Sequence, residues 1–289
     1  MVTKVKTGIV FEGGAFRTIF SCGVMDALVE NDIMPDYMIG VSAGAAYGVS
    51  MASKQPRRNL DVLMKYRNDK RYLGLSNMID KDNKSIYGLE FSYETIPNEL
   101  NLFDYEAFKQ YKGDFYCVVT NLLTGQPEYM KYTGDDRTNT VLKATCALPM
   151  LFPPIIINDV PYMDGGLSDS IPYLKAIEDG CDRIIVVLTR QSGYTKTTSR
   201  STKAIAYSYR NQYPKLTETM LTRASRYNES LKGLDQYVKE GRIITIQPTT
   251  SKGFSRLEKD KNKILSMYND GYNQCYELLD TIKEFYEIK

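Results

Sequence analysis

Residues 36–48 run Asp-Tyr-Met-Ile-Gly-Val-Ser-Ala-Gly-Ala-Ala-Tyr-Gly, a short apolar stretch that passes through Gly40-Val41-Ser42-Ala43-Gly44 into small residues. Tyr37, Met38 and Ile39 suit a strand, and Ala43, Ala45 and Ala46 begin a helix able to lie close on a sheet. Gly40 and Gly44 lack the Cβ atoms that would crowd so abrupt a strand-to-helix turn. A serine at such a turn is either a simple helix N-cap or a hydroxyl lifted above the end of the sheet. The pentapeptide alone leaves both open, because G-x-S-x-G arises by chance in about one chain in ten of this length.

The surrounding pattern narrows the fold. Residues 8–12 read as a first strand that ends in Gly13-Gly14, and a helical pattern follows with Phe20, Val24 and Leu28 at i, i+4 and i+8. Pro35 closes that helix and the strand into Ser42 comes next. Strand, glycine turn, helix, strand, turn, helix predicts a parallel sheet with right-handed crossovers. Further strands are expected at 115–120, 183–189 and 242–247, each rich enough in apolar or β-branched residues to be buried on both faces.

Between the strands, residues 54–113 are polar and Tyr-rich and read as helices and loops inserted after the turn's helix. Residues 193–232 carry eight Lys or Arg against two acidic residues, with tyrosines interspersed. A solvated helical face is the simpler reading of that stretch; contact with anionic lipid headgroups is the other. The tail is an amphipathic helix with Ile264, Tyr268, Tyr272, Cys275, Leu279 and Ile282 three or four apart. No internal repeat or low-complexity linker divides the chain, so one domain with insertions is expected over residues 1–289, with a C-terminal strand and helices over about 191–289.

Composition excludes several classes. A net charge of +2 gives no case for nucleic acid. No apolar run approaches the length of a bilayer span, and the start, Met-Val-Thr-Lys-Val-Lys, has no signal-peptide core. Cys22, Cys117, Cys146, Cys181 and Cys275 are odd in number, scattered and without a C-x-x-C pair. A disulfide framework or zinc site is therefore disfavoured, and a reducing cytoplasm is the expected location. Asp80-Lys-Asp82-Asn-Lys84 resembles the start of a calcium loop, but Lys84, Ser85 and Phe91 stand where a ligand, a glycine and a glutamate are needed. No metal and no cofactor are expected.

The chain contains no histidine, so any serine chemistry must use another base than imidazole. Two further turns carry candidate chemistry. Glu12-Gly13-Gly14-Ala15-Phe16-Arg17, between a strand and a helix, exposes backbone N–H groups and the positive end of a helix dipole, suited to a phosphate or an oxyanion. It lacks both the G-x-G-x-x-G spacing and the Lys-Ser/Thr of a Walker loop. Asp164-Gly165-Gly166 is either a plain turn or a device that holds a carboxylate in a fixed pose. The apolar segment 144–154 upstream of it could wall a pocket.

Together and in order, Gly13-Gly14 with Arg17, Gly40-Val-Ser-Ala-Gly44, the segment 144–154 and Asp164-Gly165-Gly166 resemble the patatin-like phospholipases, over about residues 7–190. The resemblance implies an α/β fold, three-layer α/β/α with a mainly parallel central sheet, followed by a helical C-terminal part. It implies hydrolysis of lipid acyl esters by a Ser-Asp dyad, with Ser42 as nucleophile, Asp164 as base, and Gly13, Gly14 and the Ala43 N–H in the oxyanion hole. The partner would be a lipid acyl-ester substrate, with peripheral contact at a membrane surface left open. An acyltransferase on the same dyad and a non-catalytic lipid- or protein-binding member of the fold are the alternatives. The family's third glycine is Ala15 here, and the glycine after its basic residue is Thr18. Alanine does not readily take a positive φ, so this loop is expected to present one fewer or a differently aimed donor.

Overall fold

The computed structural model describes residues 5–81 and 83–288. The start of the chain, Met1 to Lys4, and Asp82 of the calcium-like segment lie outside the described residues. Among the described residues eight strands form one mixed sheet: β1 (Thr7–Phe11), β2 (Tyr37–Val41), β3 (Asp114–Asn121), β4 (Pro127–Lys131), β5 (Ile155–Ile157), β6 (Val160–Asp164), β7 (Arg183–Val187) and β8 (Ile243–Ile246). The order is β5-β6-β3-β2-β1-β7-β8, with β4 also paired to β3. The run β3-β2-β1-β7-β8 is parallel throughout, whereas β4, β5 and β6 join antiparallel. Strands β1 and β2 are wholly buried, as the apolar runs require of central strands covered on both faces.

The expected strands at 115–120, 183–189 and 242–247 correspond to β3, β7 and β8. Strands β4, β5 and β6 have no counterpart in the pattern reading, because all three are short, β4 and β5 are half-exposed, and β4 and β6 carry Pro127 and Pro161. The first helix, α1 (Ile19–Glu30), ends five residues before Pro35 rather than at it. Helix α2 (Ala43–Ala52) follows Ser42 directly. The tail is two helices, Lys261–Glu277 and Leu279–Phe285, with a break at Leu278. All five cysteines are buried thiols. Among the described residues no helix is long and apolar enough to cross a membrane.

Two layers flank the sheet. On one face α1, α2 and helix Lys261–Glu277 enclose the largest core, with Phe11, Phe20, Met25, Leu28 and Phe115 inaccessible to solvent or nearly so. On the other, Tyr173, Tyr227 and Leu234 pack against Val10, Ile39 and Val186. Helix α1 and helix Lys261–Glu277 meet backbone to backbone. A methyl group on Gly271 would overlap the Phe20 carbonyl, and one on Gly23 would overlap the Tyr268 carbonyl. Gly271→Ala is therefore expected to force the helices apart and cost about 1–3 kcal/mol, despite a gain of roughly 1 kcal/mol in helix propensity. A urea midpoint equal to or above that of the wild type would contradict this contact.

The same interface buries Asp26, which accepts the Tyr268 hydroxyl at 2.7 Å and the Arg57 N–H at 2.9 Å. Burial pushes its carboxyl up to about 6, against about 3.9 in an unfolded chain. The folded state thus binds this proton more tightly than the unfolded one. Its contribution to stability is complete below about pH 4 and is lost as pH rises through the folded value. Relative to wild type, Asp26→Asn should gain stability progressively between about pH 4 and 7, by up to about 3 kcal/mol. Urea unfolding across that range measures it, and a pH-independent difference would refute the assignment.

Candidate active site

The sheet register brings the two separated motifs together. Val41, the last residue of β2, pairs with Val118 of β3, and Asp164, the last residue of β6, pairs with Val119. Strand β4 pairs with Val118 and Val119 as well and so holds the opposite edge. It follows that β2 and β6 share one edge of β3 and meet end to end, with Ser42 leaving the sheet where Asp164 arrives.

Ser42 adopts φ 55°, ψ −128°, a conformation rarely taken by an L-residue, and its side chain makes no cap hydrogen bond to α2. The surroundings hold it there. A Cβ on Gly40 would stand 2.5 Å from Ala45 N, one on Gly44 2.5 Å from Phe11 O, and one on Gly13 2.9 Å from Ser42 Cβ. The motif glycines thus permit close backbone approach from three sides. Thr145 adds a further tie that sequence inspection missed. Its hydroxyl accepts the Ser42 N–H at 2.8 Å and donates to the Val118 carbonyl at 2.5 Å. A lone threonine in an apolar segment gives no local sign of that role.

Asp164 is 2 % exposed. Burial raises its carboxyl above the ordinary carboxylate range, opposed by the Arg223 guanidinium, the Ser42 hydroxyl and the Gly166 N–H. The Gly166 N–H donates to Oδ1 at 2.7 Å, the Asp164 N–H donates to the Ala147 carbonyl at 2.9 Å, and Thr120 donates to the Asp164 carbonyl at 2.8 Å. Gly165 lies flat against the Val118 carbonyl, where a Cβ would not fit. The Ser42 hydroxyl also lies beside the Cys146 thiol, which burial pushes up to about 12.

The glycine turn crosses in front of Ser42. Ala15 stands at φ 49°, so alanine takes the positive φ that its side chain disfavours. Among the described residues no acceptor takes the N–H of Gly13, Gly14 or Ala43. Arg17 is 6 % exposed, and its Nε has no hydrogen-bond partner. Burial, then Arg190 and Arg256, pull its guanidinium down to about 10.

Ser42 and Ala15 line two cavities at once. The first, of about 130 Å³, is walled mainly by apolar side chains, including Phe16, Tyr72, Phe103, Leu142 and Phe152. Much of that wall comes from residues 54–113, which include a wide π-type helix, Phe91–Leu100, with Pro97 inside it. The second, of about 50 Å³, is polar and contains Glu12, Asp164, Arg17, Arg190, Lys196, Arg223 and Arg256. The basic stretch 193–232 is therefore not a uniformly solvated face: Lys196 and Arg223 turn inward.

Comparison with known proteins addresses the family of the chain. A family model described as patatin-like phospholipase matches residues 9–177, and one described as a domain of unknown function (DUF6363) matches residues 213–287. The uncharacterized protein YjjU of Escherichia coli (strain K12) is 26% identical over 188 residues, which cover 64% of this chain and 52% of that protein. Lysophospholipase nte1 of Aspergillus terreus is 29% identical over 193 residues, covering 63% of this chain and 12% of the fungal protein. Lysophospholipase NTE1 of Eremothecium gossypii is 27% identical over 185 residues, with 62% and 12% covered. The match thus spans about half of the bacterial relative and a small part of the fungal ones. Among solved structures, VipD from Legionella pneumophila gives a TM-score of 0.47 at 15% identity, covering 96% of this chain and 67% of that one. With the family model spanning more than half of its residues, the chain belongs to the patatin-like phospholipase family.

Proposed function

We propose that the protein is a lipid acyl hydrolase that works through a Ser42–Asp164 dyad. The observation that carries the reading is the position of the Ser42 hydroxyl, beside a buried carboxylate and at the junction of an apolar and a cationic cavity. The lysophospholipase names of the fungal relatives support the same substrate class.

In this mechanism the Asp164 carboxylate takes the Ser42 proton as Oγ attacks the acyl carbonyl carbon. The negative charge that develops on the carbonyl oxygen is met by the N–H groups of Gly13, Gly14 and Ala43, with Ala15 shaping the turn and Arg17 beside it. Asp164 returns the proton to the departing alcohol, which leaves an acyl-serine. A water molecule then gives its proton to the same carboxylate as it attacks, and the fatty acid leaves as Ser42 is reprotonated. An ordinary Asp is too weak a base for this at neutral pH, and burial moves Asp164 in the helpful direction. Cleavage of membrane-derived esters in this way makes the enzyme part of lipid degradation.

Ser42→Ala is expected to lower kcat/KM on p-nitrophenyl butyrate at least about a thousandfold. Asp164→Asn should lower it at least about a hundredfold. A fluorophosphonate probe should label wild type at Ser42, located by mass spectrometry. Label on another residue, or turnover that survives in Ser42→Ala, would reject the dyad. Because Asp164 must be ionised to act and its pKa is raised, activity should rise with pH through a midpoint above the ordinary value of about 3.9. An acid limb at or below that value would remove Asp164 as the base.

A further inference from the structure

The polar cavity beside Ser42 gathers five cationic side chains, Arg17, Arg190, Lys196, Arg223 and Arg256, against two carboxylates. Both carboxylates are already engaged. Glu12 accepts the Thr189 N–H at 2.7 Å and the Tyr227 hydroxyl at 2.9 Å, and Asp164 accepts the Gly166 N–H at 2.7 Å. Among the described residues none of the five cations forms a salt bridge. Like charges drawn together in a half-buried pocket repel, and the effect is visible on two of them. Burial and then Arg223 bring Lys196 down to about 7, and Arg17 is lowered to about 10 by burial, Arg190 and Arg256. Such a cluster disfavours the folded state unless an anion offsets it.

The site is built rather than incidental. Arg223 Nε donates to the Gly166 carbonyl at 2.5 Å, and the Arg256 carbonyl accepts the Phe16 N–H at 3.1 Å. Lys196 is fixed through its backbone, which exchanges two hydrogen bonds with Asn228 at 2.8 and 3.0 Å. Arg17 Nε is buried without a partner in the same cavity. The volume, about 50 Å³, is several times the roughly 10–15 Å³ that a single water needs, enough for a tetrahedral oxyanion.

We infer that this pocket seats the phosphate of the substrate, so that the enzyme prefers phosphate-bearing lipid esters over neutral ones. The inference rests on the hydrolase reading above and adds its substrate class. With the scissile carbonyl at Ser42, the acyl chain enters the apolar cavity and the glycerophosphate turns into the cationic one. Four of the five cations lie beyond residue 177, where the patatin-like match ends, and Arg223 and Arg256 fall within the matched domain of unknown function. That C-terminal region therefore completes the site and sets its headgroup preference.

The test compares monomeric dihexanoylphosphatidylglycerol with dihexanoylglycerol, which carries the same esters without phosphate. Wild type should favour the phospholipid in kcat/KM by at least about tenfold, a preference that weakens with added salt. Arg256→Ala, at the exposed rim where folding is not at risk, and Lys196→Ala should each lower that ratio about five- to tenfold. Calorimetry with glycerol 3-phosphate reads the seat without catalysis, and both variants should weaken its binding. Equal turnover of the two esters by wild type, or a ratio unchanged in both variants, overturns the inference. Glycerol 3-phosphate binding alongside equal turnover would mark a free-phosphate site and overturn the headgroup assignment. Binding that both variants weaken, with neither ester hydrolysed, would keep the phosphate seat and reject the hydrolase reading instead.

Discussion

The site depends on a handover along one edge of β3. Strand β2 occupies that edge as far as Val118, and β6 takes it from Val119 in the opposite direction. Two strand ends meeting head on leave a gap into which both chains must turn sharply. Ser42 leaves upward into α2 and Asp164 leaves into the Gly165–Leu167 turn. The glycines follow from this crowding. Gly13, Gly40, Gly44 and Gly165 each sit where a Cβ would meet backbone of a neighbouring segment. The positive φ of Ser42 is held by that packing, in the manner expected of strain stored at a functional site. Thr145, bonded to both Ser42 and Val118, ties the turn to the strand that aligns it.

A carboxylate so deeply buried would be a liability in a purely structural protein. In the dyad mechanism proposed above, burial takes the part that histidine plays elsewhere, moving the Asp164 carboxyl toward the pH at which a base must work. The neighbouring groups set how far this goes. Arg223 favours the ionised form, and so do the neighbouring Ser42 hydroxyl and the Gly166 N–H, yet desolvation remains the larger influence. The apolar cavity on one side excludes water and the cationic one on the other supplies positive potential. Asp164 thus stands between a medium that disfavours its charge and one that retains it.

Much of this was legible in the sequence, and the limits have physical causes. Strands β1, β2, β3, β7 and β8 announce themselves because buried parallel strands are unbroken apolar runs. The turns at Gly13 and Ser42 are local and therefore readable. Strands β4 and β5 are short, half-exposed edge elements and β6 carries Pro161, so their pattern is weak, and Asp164 read as a turn residue rather than a strand end. Ala15 shows a different limit: intrinsic preference argued against a positive φ, and tertiary packing imposed it. The cationic pocket draws on segments up to 239 residues apart, from Arg17 to Arg256, and no sequence window contains such a cluster. The excess of basic residues in 193–232 was its only trace.

Topology nevertheless makes that assembly necessary. In a parallel sheet every strand delivers its following loop to the same end, and ligands bind in the crevice that those loops line. The turn after β1 carries Gly13, Gly14 and Arg17, and the end of β2 carries Ser42. The loop after β7 must then land beside them, and it brings Arg190 and Lys196; the loop after β8 does the same and brings Arg256. Helix Pro214–Lys239, connecting β7 to β8, lies across this end and supplies Arg223. Since β7 pairs with β1 and β8 with β7, the C-terminal segment cannot join the sheet without contributing to the site. Changes in those two loops and that helix can therefore retune the polar wall while Ser42 and Asp164, carried by β2 and β6 along β3, stay in place.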